Sequence, residues 1–466
     1  MSSIRFLGAA GTVTGSRYLV RAPGGAVLFD AGLFQGQKEL RLRNWEPFPV
    51  PPASLDAIVL THAHIDHSGA LPLLVRDGFR GPVYCTSATR DLAQLLLPDS
   101  GKLQEEEARF ANKRGYSKHA PDARPLYTEA DAVAALRLLT PIPYGARREI
   151  RPGLAVTFGR AGHLLGSATI LLEVSGGGPS DGAPRRILFS GDLGRYGAPI
   201  LPDPDSAAAV DDLLLECTYG DRLHHGAARE ELRDAVLGAV QRAGALLVPA
   251  FAVGRTQEIL FRLRELESQR EIPELPVFVD SPMAVDATPI YLAHREDHDD
   301  DMAGLFARGI EPLRPARLQF ARAPEQSKAL NRIQGPCVIL SASGVATGGR
   351  ILHHLANRLP DERTTVLLVG YQAAGTRGSS LQNGAKALRM HGEDVPVRAR
   401  VITISGFSAH ADKGEVERWL ATAPRPPARV FCVHGEPAPL AATAQRLAGR
   451  GWTALVPRHG EEVDLA

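Results

Sequence analysis

Four side chains of metal-binding type fall within one short stretch, Thr61 to Gly69: His62, His64, Asp66 and His67. The apolar run Ala57 to Leu60 before them reads as a buried strand, so they stand just past a strand end, where α/β folds place their chemistry. Alternation along an extended segment turns His62 and His64 to one side, and Asp66 and His67 follow where the chain can turn back. Such an array can feed two adjacent metals. Imidazole and carboxylate without thiolate is the donor set of catalytic zinc, which keeps a position open for water, rather than of structural zinc, which favours cysteine. A plain surface run of histidines is the competing reading, and this spacing directly after a strand disfavours it.

Other strand ends carry the same residue types. Asp30 closes the apolar run AVLFD and either caps a turn or supports a metal site from behind. His163 lies in a Gly-flanked loop, GHLLGS, between two strands, and Asp192 follows the apolar run that ends at Ser190, a carboxylate suited to bridging two cations. His410 in GFSAHAD and His434 in VHGEP stand at strand ends toward the C-terminus.

These residues need a scaffold, and 466 residues are too many for one ordinary core, which predicts two or three domains. Hydrophobic content of 44% with 23% charged residues is that of a globular protein. No apolar run reaches membrane-spanning length and the N-terminus lacks a signal-peptide pattern, which points to the cytoplasm and no membrane partner. Cys85, Cys217, Cys337 and Cys432 are scattered, and are expected as buried free thiols. With 53 Lys plus Arg against 52 Asp plus Glu, net charge neither demands nor excludes a nucleic-acid partner.

Short strands with Gly-rich turns dominate the first 211 residues. Beyond Asp211 the pattern becomes an alternation of strands and helices, with strands expected at 245–249, 276–279, 337–341 and 365–369, which argues for a parallel sheet in a second domain. Small residues and an arginine open two of its helices, in Gly254-Arg255-Thr256 and in the stretch through Ser343 to Arg350. Helix N-termini of that kind favour anions, so Arg255, Thr256, Ser343 and Arg350 are candidate phosphate contacts, with ordinary strand-to-helix turns as the alternative. The segment 176–184 reads as a flexible hairpin connection.

The array at 62–67 with His163, Asp192 and the opening FLGAAGTVTGSRYLV resembles the metallo-β-lactamase superfamily. The stretches ECTYGDR, VPAFAVGRTQEIL, DSPMAVDAT, GYQAAGTRG, GFSAHAD and VHGEP are similar to its β-CASP nuclease branch. The resemblance implies an αββα metallo-β-lactamase sandwich built from residues 1–211 and 396–466, with an inserted β-CASP domain at 212–395 that contains the parallel sheet. It implies two zinc ions, one held by His62, His64 and His163, the other by Asp66, His67 and His434, with Asp192 bridging and Asp30 behind them. Glu216 and His410 match the pair that would protonate the leaving group. Many relatives have Arg after the glycine matching Gly378, where this chain has Ser379 and Ser380, with Arg377 beside them.

The expected reaction is zinc-dependent hydrolysis of single-stranded RNA to 5′-phosphate and 3′-hydroxyl ends, endonucleolytic, with 5′ exonuclease action also open. Two cations a few ångströms apart activate water and clamp a phosphodiester, and a histidine oriented by a carboxylate can supply the proton that the departing oxygen needs. A small-molecule ester or thioester hydrolase would use the same ligand array but has no need of a large parallel-sheet domain. A scaffold would have lost ligands, and every ligand position here is filled. DNA-directed relatives tend to carry Val in place of His434, which favours RNA. Homodimerisation is left open.

Overall fold

In the computed structural model, residues 2–115, 122–175, 182–224, 227–370, 372 and 375–465 are described. Most of the connection at 176–184 and part of GYQAAGTRG lie outside them. The chain forms two compact units, one of residues 1–198, 203–223 and 410–466, the other of residues 199–202 and 224–409.

The first unit contains two seven-stranded sheets. In one, strand Gly25–Phe29 runs parallel to Ala57–Val59, which runs parallel to Val83–Cys85. In the other, Arg185–Phe189, Asp212–Glu216 and Arg429–Val433 are parallel neighbours, and the hairpin of Leu154–Arg160 and Ala168–Val174 joins them antiparallel. Alternate residues of both sheets, among them Phe6, Val20, Phe29, Val59, Phe158, Ile170, Phe189 and Phe431, share one buried cluster. Phe29 and Phe189 stack across it with ring centroids 4.0 Å apart. Period-2 burial on facing sheets is what produces such a sandwich. The outer face of the second sheet, with Leu213, Leu215, Val430 and Cys432, packs on Val416, Trp419 and Leu420 of helix Lys413–Leu420 and on Leu440 and Leu447 of helix Pro437–Ala448. On the first sheet, helix Ser87–Arg114 contacts strand Leu139–Pro141 and helix Glu129–Leu136.

The second unit carries a six-stranded, wholly parallel sheet in the order Arg317–Phe320, Pro276–Val279, Cys337–Ser341, Ala245–Pro249, Thr365–Val369, Arg400–Ile404. The three central segments, CVILS, ALLVP and TVLLV, are buried along their whole length, as strands covered on both faces must be. Ile351 and Leu355 of helix Ile351–Arg358 pack with Leu247 and Ile339 on one face.

The unit limits depart from the boundaries expected at 211/212 and 395/396. Strand Asp212–Glu216 belongs to the first unit because it pairs between Arg185–Phe189 and Arg429–Val433. Strand Arg400–Ile404 belongs to the second because it closes the six-stranded sheet beside Thr365–Val369. All four cysteines are buried and free. No described helix is long and apolar enough to cross a membrane.

Candidate metal centre

Strand register in the first unit brings the candidate residues to one edge. Phe29 lies opposite Val59, so Asp30 stands beside the chain that leads to His62. Phe189 lies opposite Leu214 and Glu216 opposite Val433, so the segments carrying Asp192, Glu216 and His434 leave the sheet side by side. Ala168 begins the strand antiparallel to Arg185–Phe189, which sets the His163 loop at that same edge. The backbone is specialised here: Asp30 and His434 adopt φ of 58° and 46°, a left-handed conformation that costs a non-glycine residue roughly 1–2 kcal/mol. Gly32 is required for close approach, since a Cβ there would sit 1.6 Å from the Asp66 carbonyl oxygen.

Two groups of donor atoms result. His62 Nε2 is 3.0 Å from His64 Nδ1, which is 3.3 Å from His163 Nε2. His67 Nε2 and His434 Nε2 are 3.3 Å apart, with Asp66 Oδ2 3.8 Å from the latter. Asp192 stands between the groups: its Oδ2 is 3.6 Å from both His62 and His163 Nε2, and its Oδ1 is 3.3 Å from His67 Nε2. Donors about 2.0–2.1 Å from a tetrahedral zinc stand roughly 3.3 Å apart, so both groups have the spacing of a coordination shell. Among the described residues no hydrogen-bond donor meets the buried Asp192 Oδ1, as befits an oxygen turned toward a cation. His62, His64, His163 and Asp192 thus could hold one metal, and Asp66, His67 and His434 another.

Protonation suits the same purpose. Burial, reinforced by neighbouring histidines, holds His62 well below its ordinary value, and burial also lowers His64. Burial pushes Asp66 up, but His434, His67 and His64 outweigh it and bring it down to about 2. Asp192 is likewise held well below the carboxylate range, its burial outweighed by His434, His67 and His62. Neutral imidazoles beside ionised carboxylates are the state that metal ligands need. His67 is the exception, raised against its burial by Asp192 and Asp30, and its Nδ1 is 2.8 Å from Asp30 Oδ2. Such a carboxylate contact is the kind of support that orients a histidine for metal binding.

Glu216 and His410 form a distinct pair at the rim. Glu216 is buried and accepts from the Leu193 N–H at 2.7 Å, with His410 Nδ1 3.3 Å from the same Oε1. Burial would lower His410, but Glu216, then Asp192 and Asp66, lift it to about 9. Asp192, Glu216 and His410 also meet the distance requirement for a metal group, which gives His410 a second chemical reading.

Three hydroxyls at the centre escaped the sequence reading. Thr61 Oγ1 donates to Asp30, Ser16 Oγ is 3.3 Å from His67 Nε2, and Thr218 Oγ1 donates to Glu216 Oε2 at 2.6 Å. Their only signal is proximity to the singled-out residues, with Thr61 before His62 and Thr218 two places after Glu216.

The second unit deals differently with its candidates for phosphate contact. Arg350 donates to Asp280 Oδ1 at 2.7 Å and to the Ala321 carbonyl at 3.0 Å. Arg255 is buried against Glu258, with its guanidinium 5.7 Å from the Phe407 ring centroid. Thr256 Oγ1 donates to the Phe251 carbonyl, and Ser343 Oγ accepts from the Thr347 N–H. Both arginine charges have an acidic partner and the hydroxyls bond within their own loops, so in this structure these side chains are engaged in the strand-to-helix turns. Phe251, in contrast, is 49% exposed just past the end of Ala245–Pro249.

Residues 10–250 match the family described as the metallo-beta-lactamase superfamily, 256–381 the Beta-Casp domain, and 394–457 the Zn-dependent metallo-hydrolase RNA specificity domain. The chain is 40% identical to "Ribonuclease TTHA0252" of Thermus thermophilus, over 98% of its own length and 99% of that protein. It is 32% identical to "Transcription termination factor FttA" of Methanocaldococcus jannaschii, over 93% of its length and 67% of that protein. A crystal structure of a protein of unknown function from Enterococcus faecalis V583 shares the fold, with a TM-score of 0.56 at 13% identity, covering 99% of both chains.

Proposed function

We propose, from the premise that the chain belongs to the metallo-β-lactamase superfamily and to its β-CASP group, that it is a zinc-dependent ribonuclease acting on single-stranded RNA in the cytoplasm. The observation that carries the reading is the end-to-end likeness to a protein named a ribonuclease. A site of two donor groups joined by Asp192 supports it. His62, His64 and His163 would hold one zinc, Asp66, His67 and His434 the other, and Asp192 would serve both. Zinc bound there supplies Lewis-acid stabilisation of the phosphoryl oxygens and lowers the pKa of water.

The protein's own residues do the rest. Asp30 holds His67 in a fixed orientation through its Nδ1. Glu216 engages Nδ1 of His410, so the proton for the departing 3′ oxygen is carried on His410 Nε2. Hydrolysis in that sense leaves a 5′-phosphate and a 3′-hydroxyl. Phe251, half exposed beyond the strand Ala245–Pro249, is a candidate for stacking on an unpaired base, a contact that tolerates any sequence. A small-molecule hydrolase has no use for such a face or for the six-stranded unit that carries it.

The test is digestion of one RNA sequence labelled at its 5′ end, labelled at its 3′ end, and closed into a circle, with matching DNA beside it. Cleavage of the circle to a linear product with a 5′-phosphate is expected. Failure to cut any RNA with zinc present refutes the function. Cutting the linear forms alone replaces the endonuclease with an exonuclease.

A further inference from the structure

Thr218 stands at the junction of the two parts of the centre. Its hydroxyl is 2.6 Å from Glu216 Oε2, 3.1 Å from His434 Nδ1 and 3.3 Å from the His434 carbonyl oxygen. A hydroxyl has one proton to give and lone pairs to accept with. The contact to Glu216 has the length of a charge-assisted O–H···O⁻ bond, about 2.5–2.7 Å, so the proton goes there. The His434 carbonyl is the weaker acceptor, at the longer 3.3 Å and uncharged, and it also accepts from the Cys217 N–H at 3.1 Å. What Thr218 turns to His434 Nδ1 is then a lone pair, which requires a hydrogen on Nδ1. With that hydrogen in place the bare nitrogen of His434 is Nε2, the atom facing His67 Nε2 and Asp66 Oδ2.

We infer that Thr218 is a positioning residue that sets the ring tautomer of His434 for metal binding and, by the same hydroxyl, pins the Glu216 carboxylate behind His410. The chain of bonds runs from His434 Nδ1–H to Thr218 Oγ1 and from Thr218 O–H to Glu216 Oε2. Ligating histidines commonly spend their second N–H on a carboxylate, carbonyl or water. Asp192 Oδ1 also lies 3.5 Å from His434 Nδ1, but the nearer partner is the Thr218 hydroxyl at 3.1 Å, through which the Glu216 carboxylate is reached, so one side chain serves both the second metal group and the proton-donating pair. The inference rests on the metal assignment made above, but needs no RNA for its test.

The experiment measures zinc affinity of metal-stripped protein by chelator competition, for wild type, Thr218→Val and Thr218→Ser. Thr218→Val keeps the shape and loses the hydroxyl, and Thr218→Ser keeps the hydroxyl and loses the methyl. Loss of such a supporting hydrogen bond typically weakens metal binding about 10- to 100-fold. That loss is expected for one of the two zinc ions in Thr218→Val, with Thr218→Ser close to wild type. Nitrogen-15 spectra of ring-labelled histidine in the zinc-loaded protein should show His434 protonated at Nδ1 in wild type and Thr218→Ser. Wild-type affinity in Thr218→Val overturns the role, as does a Thr218→Ser variant as weak as Thr218→Val, or a His434 ring protonated at Nε2. If Thr218→Val does not fold, the Thr218→Ser affinity and the wild-type spectrum still decide. A wild-type protein that binds fewer than two zinc ions sinks the metal assignment and this role with it, whereas failure of RNA cleavage alone leaves both standing.

Discussion

Replacing His410 with alanine isolates the proton-donating pair from the metals. The His410 side chain is 23% exposed, whereas Glu216 beneath it is 2% exposed. Removing the imidazole does not orphan that carboxylate, because the Leu193 N–H still binds Oε1 at 2.7 Å and the Thr218 hydroxyl still binds Oε2 at 2.6 Å. The fold and both donor groups should therefore persist, with zinc content and RNA affinity unchanged. Turnover should fall by about a hundred- to ten-thousand-fold, the usual worth of a general acid. That corresponds to about 3–5 kcal/mol on the barrier. Glu216→Gln should act in the same direction but less, and the double variant should cost little beyond His410→Ala, since groups acting as a unit are not additive. The assay is single-turnover cleavage of an RNA with one scissile linkage, run beside the same RNA with sulfur in place of the bridging 3′ oxygen. Sulfur departs without a proton, so it should rescue His410→Ala far more than His64→Ala. Zinc lost from His410→Ala, or no rescue by sulfur, refutes the role and moves His410 into the metal group it can form with Asp192 and Glu216.

Elemental analysis should find two zinc ions per chain, and exhaustive chelation should abolish RNA cleavage reversibly; full activity with less than one metal per chain would exclude the assignment. Asp192→Asn should weaken zinc binding at both groups, because the carboxylate faces donors of each, and calorimetric titration would show two weakened steps rather than one. Asp280, buried with its oxygens bonded to Arg350, His354 and Ser327, is held below its ordinary value despite its burial. It contributes stability that is present above the unfolded carboxylate pKa and lost as pH falls through the lower folded value, so wild type should lose stability across that acid window. Asp280→Asn should lack that part of the acid dependence and be about 3 kcal/mol less stable at neutral pH in denaturant titrations, the scale of breaking a buried ion pair. Phe251→Ala should weaken single-stranded RNA binding by about 1–3 kcal/mol, with an abasic site at the contacted nucleotide removing the difference; equal affinity of variant and wild type for intact RNA would exclude the stacking contact.

Much of the scaffold was legible because its strands are apolar runs bounded by turn residues. The strands Ala245–Pro249, Pro276–Val279, Cys337–Ser341 and Thr365–Val369 lie at their expected positions. Their partners were less legible. The segments 212–216 and 400–404 look alike as short strands, and only the register shows that one joins the sandwich and the other the parallel sheet. The edge strand Arg317–Phe320 was hidden because three of its four residues are exposed, which removes the apolar signal. At the metal centre the ligand types were unusual enough to stand out among ordinary residues, but the hydroxyls of Ser16, Thr61 and Thr218 were not, since serine and threonine occur everywhere. Arg255 and Arg350 turned inward because acidic partners, Glu258 one helical turn away and Asp280 in a distant loop, claim their charge first. Nothing in the type of an arginine says which way it will face.

The register that joins Glu216 to Val433 also has a consequence for biosynthesis. During translation the array around His62 emerges early, yet its second donor group lacks His434, and the sheet that positions Asp192 lacks its neighbour Arg429–Val433, until almost the whole chain has been made. A nascent polypeptide stopped anywhere before that strand carries histidines but no complete centre. Both donor groups can therefore be complete only once the closing strand is in place.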